Sequence, residues 1–133
     1  TPAGDALKYV RLVAQQSNQY SARIVGAANN VPTQGTYPTN NSLADQLKIV
    51  ARLIKGGLKT RVYMVSLGGF DTHSVQTNTD TTTGAHATLM QRLSDAVTAF
   101  QNDLVGLGVE DHVLGMTFSE FGRRIKSNAS VGT

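Results

Sequence analysis

The sequence of 133 residues contains no cysteine and no tryptophan. Without cysteine the chain forms no disulfide and offers no thiolate ligand to a metal ion. No apolar run approaches the roughly 20 residues that a transmembrane helix requires, so we expect no membrane span. Nucleic-acid-binding surfaces concentrate basic and aromatic residues, whereas here the basic residues are scattered, apart from one cluster at residues 123–126. We therefore expect no nucleic-acid partner.

Short catalytic motifs are also absent from the sequence. It has no Gly-x-Ser-x-Gly elbow, no phosphate-binding P-loop and no His-Glu-x-x-His pair. The pair Gly68-Gly69 is not a dinucleotide-binding fingerprint, because the third glycine and an immediately following helix are missing. The sequence therefore identifies no nucleophile.

The residues that are present are typical of one globular domain. Hydrophobic residues make up 40% and charged residues 16% of the chain, with a net charge of +3. The length suits a single domain. The chain begins with Thr-Pro and ends shortly after a turn. We therefore expect residues 1–133 to be a single partial domain, truncated at both ends.

Apolar periodicity predicts three helices, at about residues 5–29, 42–55 and 85–107. Ser42 is the expected N-cap of the second helix, with Asp45 placed as in a capping box. Two short β-rich apolar runs, at about residues 61–67 and 112–118, are expected to be buried strands. A strand, a long amphipathic helix and a second strand predict parallel neighbours joined by a right-handed crossover. The predicted fold class is therefore α/β, with two helices before this unit.

Parallel strands would bring two polar turns to the same edge of the sheet, where open α/β sheets bind ligands. The first turn carries Asp71 and His73 after two glycines, and a carboxylate and an imidazole at this spacing suit a divalent cation. The alternative is a structural turn, in which Asp71 caps a backbone amide and His73 is half-buried.

The second turn, Ser119-Glu120-Phe121-Gly122-Arg123, offers a general base or metal ligand in Glu120 and an oxyanion-binding guanidinium in Arg123. The alternatives are a structural ion pair of Glu120 with Arg123 or Arg124, and a solvated basic end. His86, near the start of the third helix, is either a third metal ligand or a capping or surface residue. His112, at the opposite end of the predicted sheet, is expected to be structural.

These motifs together resemble a known family. The motifs Gly-Gly-Phe-Asp-Thr-His at residues 68–73 and Ser-Glu-Phe-Gly-Arg at residues 119–123, with Gln76, His86 and Asn128, are similar to those of a largely uncharacterised bacterial family. Many members of that family are exported through the twin-arginine route, and the family is placed with the alkaline phosphatase and sulfatase superfamily. The resemblance covers nearly the whole chain, including stretches at residues 18–20 and 46–58.

The resemblance implies an α/β/α sandwich with metals held by Asp and His side chains at strand ends, around a phosphate- or sulfate-ester site. By analogy, Asp71 and His73 are metal ligands, with His86 and Glu120 as contributors. The metal is zinc, manganese, magnesium or calcium, and the protein is exported to the periplasm or the outside of the cell. Two departures stand out: the family's Asp-His-Gly motif and N-terminal section are absent, and Arg124 stands where some relatives have Thr.

Two functions therefore follow as expectations. The first is a piece of a metal-dependent hydrolase of phosphate or sulfate esters, with a small oxyanion-bearing substrate and no activity in isolation. The second is a non-catalytic exported domain used for binding or assembly, since a fold alone does not guarantee activity. Apolar faces and edges left uncovered also predict self-association.

Overall fold

The computed structural model describes residues 2–31, 34–120, 122–123, 125–126, 128–130 and 132. Within them the chain forms three α-helices, α1 (Pro2–Asn29), α2 (Ser42–Lys55) and α3 (Ala85–Leu107), followed by a 3₁₀ helix at Glu110–His112. Helices α2 and α3 have the bounds predicted from the sequence, and α1 begins three residues earlier than predicted. None of the helices in the described part is long and apolar enough to cross a membrane.

The α/β fold class predicted from the sequence is wrong, because the described residues contain helices and no strand. Residues 61–67 and 112–118 do not pair with each other, and His112 lies in the 3₁₀ helix instead of opening a strand. Val62 and Met64 in the first segment and Leu114 in the second are exposed rather than buried. A β-rich apolar run reports propensity, whereas a strand also needs a neighbour aligned with its backbone groups. Whether such a neighbour is present depends on the tertiary structure.

The core lies between α2 and α3. Leu43, Ala44 and Leu47 of α2 pack against Ala96 of α3, and all four side chains are buried. Partly buried apolar side chains surround them: Tyr37, Val65, Leu67, Leu93 and Phe100. The apolar stripes of α2 and α3 therefore form the main helix–helix contact of the domain.

The N-cap of α2 is Asn41 and not Ser42, which is the first helical residue. The Asn41 side-chain oxygen accepts a hydrogen bond from the backbone N–H of Ala44 at 3.3 Å. Its Nδ2 donates to the carbonyl of Arg92 at 2.7 Å. This buried asparagine therefore caps one helix and fixes its start against α3.

The segment at residues 61–67 is joined to α2 through the side chain of Gln46. Gln46 accepts from the backbone N–H of Ser66 at 3.1 Å and donates to its carbonyl at 2.9 Å. The amide of Gln46 thus satisfies the two backbone groups that a neighbouring strand would otherwise satisfy. The half-buried side chains of Val65 and Leu67 contact the core, and the chain continues into Gly69, which lies close to Leu89 at the start of α3.

Helix α1 touches the rest of the domain near its C-terminal end. Residues 5–23 are exposed, whereas Ala27 is buried. A Cβ placed on Gly56, which ends α2, would lie 2.0 Å from the carbonyl oxygen of Ala27. The predicted apolar stripe of α1 is therefore largely uncovered in the described structure, because its only extensive helix contact is with α2.

Candidate functional site

The two polar turns singled out in the sequence lie next to each other, although no sheet brings them together. The guanidinium of Arg123 donates to Thr72 Oγ1 at 3.0 Å and to Gln76 Oε1 at 2.9 Å. It also donates to the carbonyl of Phe70. Thr72 is buried, and its hydroxyl donates to Gln76 Oε1 at 3.0 Å. Arg123 therefore fixes both sides of the loop at residues 70–76, which we call the site loop.

A second set of hydrogen bonds holds the site loop from residues 128–132. Asn128 Nδ2 donates to the carbonyl of His73 at 2.7 Å, and the N–H of Val75 donates to the carbonyl of Ser130 at 2.8 Å. Gly132 is buried so closely against His73 that a Cβ would lie 2.2 Å from the His73 carbonyl carbon. Asn128 was noted in the sequence only as part of a family resemblance, and the structure gives it a role in anchoring this loop.

Asp71 and His73 project from the site loop into solvent. His73 Nε2 lies 3.0 Å from Asp71 Oδ1, and the side chains are 79% and 64% exposed for His73 and Asp71 respectively. Loops held at both ends commonly carry functional side chains. The structure thus brings these two predicted ligands together, in a position that a dissolved ion or small molecule reaches without any opening of the fold.

His86 lies on the other side of the site loop. Its backbone N–H donates to the carbonyl of Gln76 at 3.1 Å, and its ring meets the ring of Phe70 edge-on at a centroid distance of 6.1 Å. Its Nδ1 atom is buried with no hydrogen-bond partner in the described part of the chain. Across those same residues, no three His, Asp or Glu side chains are gathered so as to hold a metal ion. His86 therefore packs against Phe70 of the site loop, and among the described residues it is not grouped with Asp71 and His73.

Glu120, which the sequence offered as a partner of Arg123 or Arg124, is exposed. The alternative partner, Arg124, lies outside the described residues. Arg123 itself holds the site loop through neutral oxygen atoms. Its expected role in binding an oxyanion remains a prediction, as does the role of Glu120 as a base or ligand.

The loop before α2 is bonded to a buried carboxylate of α3 that the sequence did not single out. Asp103 on α3 accepts from the N–H of Gly35 at 2.7 Å, from the hydroxyl of Tyr37 at 2.8 Å and from Gln34 Nε2 at 3.1 Å. Burial, followed by the hydrogen bond and the charge of Asp103, raises the pKa of Tyr37 well above its usual value. The sequence did offer one signal of this burial. Asp103 lies between Phe100 and Leu104, in the apolar stripe of an amphipathic helix, where a charged residue is unusual.

We expect Arg123→Lys to loosen the site loop while leaving the helices folded. Lysine keeps the charge but loses the planar fork that reaches several acceptors at once. The amide of Val75, bonded to Ser130, should exchange with deuterium about tenfold faster, since losing these bonds costs about 1–2 kcal/mol locally. Hydrogen exchange with mass spectrometry measures this. Arg92→Lys, at an exposed position on α3, is the control and should leave the exchange unchanged.

These features define a small helical domain that carries one exposed Asp–His pair on a doubly anchored loop. Residues 13–133 match the model of a family described as "Protein of unknown function (DUF1501)", and the chain belongs to that family. No match was found among curated proteins or among solved structures. The family description names no function, so the link to the alkaline phosphatase and sulfatase superfamily remains a prediction.

Proposed function

We propose that this chain is a binding domain in which Asp71 and His73 hold one divalent cation on the site loop. The observation that carries the proposal is the 3.0 Å separation of His73 Nε2 and Asp71 Oδ1. At this distance the two groups are hydrogen-bonded to each other. Adjacent ligands at about 2.0–2.2 Å from one cation also lie roughly 3 Å apart, so a cation would take the place of the shared proton. Zinc, manganese, magnesium and calcium are the candidate ions.

The surroundings of the pair support a binding role. Both side chains are largely exposed, and the loop that bears them is fixed by Arg123 and by residues 128–132. A fixed loop holds its two ligands in place before the ion arrives, which reduces the entropy lost on binding. A bound cation would supply positive charge that attracts a small oxyanion-bearing molecule. Because no third His, Asp or Glu of the described residues joins the pair, the rest of the coordination would come from water or from that molecule.

The proposal is tested by metal content and by titration calorimetry with zinc, manganese, magnesium and calcium salts. We expect near-stoichiometric binding of one of these ions to the wild type and its loss in Asp71→Ala/His73→Ala. The matched control is Asp111→Ala/His112→Ala, which removes an exposed Asp and an exposed His outside the site loop. Absence of binding in the wild type, or equal loss in both double variants, would overturn the proposal.

A second function is favoured by the convergence of the two motifs on the site loop. Arg123 lies against the loop that bears Asp71 and His73, as a site for a phosphate or sulfate ester requires. In this alternative the domain is part of a metal-dependent hydrolase, with Glu120 as general base and His86 as a further ligand. Export from the cytoplasm, implied by the resemblance, belongs to both proposals.

Hydrolysis assays separate the two functions. The metal-loaded wild type and both double variants are incubated with para-nitrophenyl phosphate and para-nitrophenyl sulfate. Turnover that is lost only in Asp71→Ala/His73→Ala supports the hydrolase. Stoichiometric metal binding without turnover supports the binding domain.

A further inference from the structure

The segment at residues 113–118 (Val-Leu-Gly-Met-Thr-Phe) is the most exposed apolar run among the described residues. Leu114, Met116 and Phe118 are 95%, 84% and 76% exposed. These three alternate with Gly115 and Thr117, which are also exposed. Contiguous apolar patches of this kind mark interaction surfaces more often than isolated apolar residues do.

The backbone of this segment is as unpartnered as its side chains. Within the described part of the chain, residues 114–118 take part in no hydrogen bond, and the last bond before them joins the Val113 N–H to the Glu110 carbonyl. Unpaired N–H and C=O groups on an apolar, uncharged run form a template for an added strand. The run has no charge and no proline, the composition typical of segments that pair between chains.

The charges on either side of residues 113–118 favour a second copy of this chain as the partner, with the two segments antiparallel. Glu110 and Asp111 precede the segment, whereas residues 119–126 carry one acidic and three basic side chains. Antiparallel pairing of two copies places the acidic flank of one beside the basic flank of the other, at both ends. Parallel pairing would place like charges together, which is unfavourable.

We propose that residues 113–118 pair antiparallel with the same residues of a second copy of this chain. A two-fold axis at Met116 places Leu114 opposite the partner's Phe118. Directly opposed residues lie on the same face of the two-stranded ribbon, so these two side chains are in contact. Cross-strand pairs of an aromatic and an aliphatic side chain stabilise such ribbons.

The other unpaired segment is less suited to this role. At residues 61–67 the side chains of Val65 and Leu67 pack on the core. The backbone groups of Ser66 are already bonded to Gln46. That segment therefore supplies a matched control position, Met64, which is 81% exposed.

Sedimentation equilibrium over a range of concentrations tests the association. We expect a dimer of the wild type and at least a tenfold weaker dimer of Met116→Lys, because a lysine on the axis would face its own charge in the partner. Met64→Lys makes the same change at a similarly exposed methionine and should leave the dissociation constant unchanged. A wild type that stays monomeric, or equal effects of the two substitutions, would overturn the proposal.

Disulfide trapping tests the direction and register, since the chain has no cysteine of its own. Met116→Cys should cross-link to itself on mild oxidation, because directly opposed residues lie about 4.5–5.5 Å apart, within disulfide range. Leu114→Cys should not cross-link to itself, because the two copies of residue 114 would be about 14 Å apart. An equimolar mixture of Leu114→Cys and Phe118→Cys should cross-link. Efficient self-linking of Leu114→Cys would indicate parallel pairing and refute the model.

Discussion

Asp103→Ala is expected to lower the free energy of unfolding by about 3 kcal/mol, because it removes the shared acceptor of three part-buried hydrogen bonds. Asp103 is 2% exposed, so water does not replace the lost carboxylate without rearrangement. The loop at residues 34–37 would then lose its hydrogen bonds to Asp103 of α3, while Gln34 would keep its bond to the carbonyl of Lys48. Urea unfolding followed by circular dichroism measures the change.

Two variants make this measurement specific. Asp95→Ala removes an aspartate from an exposed position on the same helix, bonded only to the Gln91 side chain, and should change stability by less than about 0.5 kcal/mol. Asp103→Asn keeps the shape but places an NH₂ group among donors, so its cost should lie between those of the other two. If Asp103→Ala is no more destabilising than Asp95→Ala, the buried network does not stabilise the fold.

The pH dependence of the same variant gives an independent readout. Burial and Asp103 raise the pKa of Tyr37 in the folded state, so the folded state holds this proton more tightly than the unfolded chain does. The resulting stability is fully present below the ordinary tyrosine pKa of about 10 and is lost as the pH rises above it. Asp103→Ala removes two of the three causes of the shift. The variant should therefore lose less stability than the wild type between neutral and strongly alkaline pH.

Gly56→Ala is expected to destabilise the domain by about 2–3 kcal/mol, although alanine has the higher intrinsic helix propensity. The backbone of Gly56 has φ −71° and ψ −2°, which any residue adopts, so the cost is steric. The added Cβ would lie 2.0 Å from the Ala27 oxygen and 2.5 Å from its carbonyl carbon, and both are backbone atoms of α1. Helix α1 must therefore move away from α2.

Circular dichroism and thermal unfolding measure this effect. An undocked α1 would lose helicity near its C-terminal end, because most helical stability in proteins comes from packing against the rest of the fold. Gly26→Ala is the matched control: it lies beside Ala27 in α1 with nothing within 4 Å of the added Cβ, and it should be neutral or stabilising. Equal melting temperatures for Gly56→Ala and the wild type would show that the close approach of α1 and α2 is not required.

The sequence predicted the bounds of the helices better than it predicted the contacts that the helices make with the rest of the chain. Both ends of α2 and of α3 were predictable, since apolar periodicity and the glycines at 56 and 108 mark them locally. The cap of α2 was misplaced by one residue, because Asn41 and Ser42 are both good caps and only the contact of Asn41 with Arg92 distinguishes them. Asp103 was missed because its partners are more than 60 residues away in sequence.

The candidate site shows the same division. The sequence singled out Asp71, His73 and Arg123, and the structure places the first two 3.0 Å apart and the third against the same loop. The reasoning that joined them was wrong, since it relied on adjacent parallel strands that the described residues do not form. They meet instead because Arg123 and Asn128 bond to the backbone of the loop.

By itself, the sequence determined the helices, the absence of a thiolate site and the polar residues of the two turns, because each depends on residue type and on spacing of a few positions. Only the tertiary structure decided whether the apolar runs at 61–67 and 113–118 become strands, since pairing depends on a partner's backbone and not on the run's own composition. It also decided the burial of Asp103 and the position of Arg123. Both depend on contacts between residues 47 or more positions apart, which propensity and periodicity do not encode.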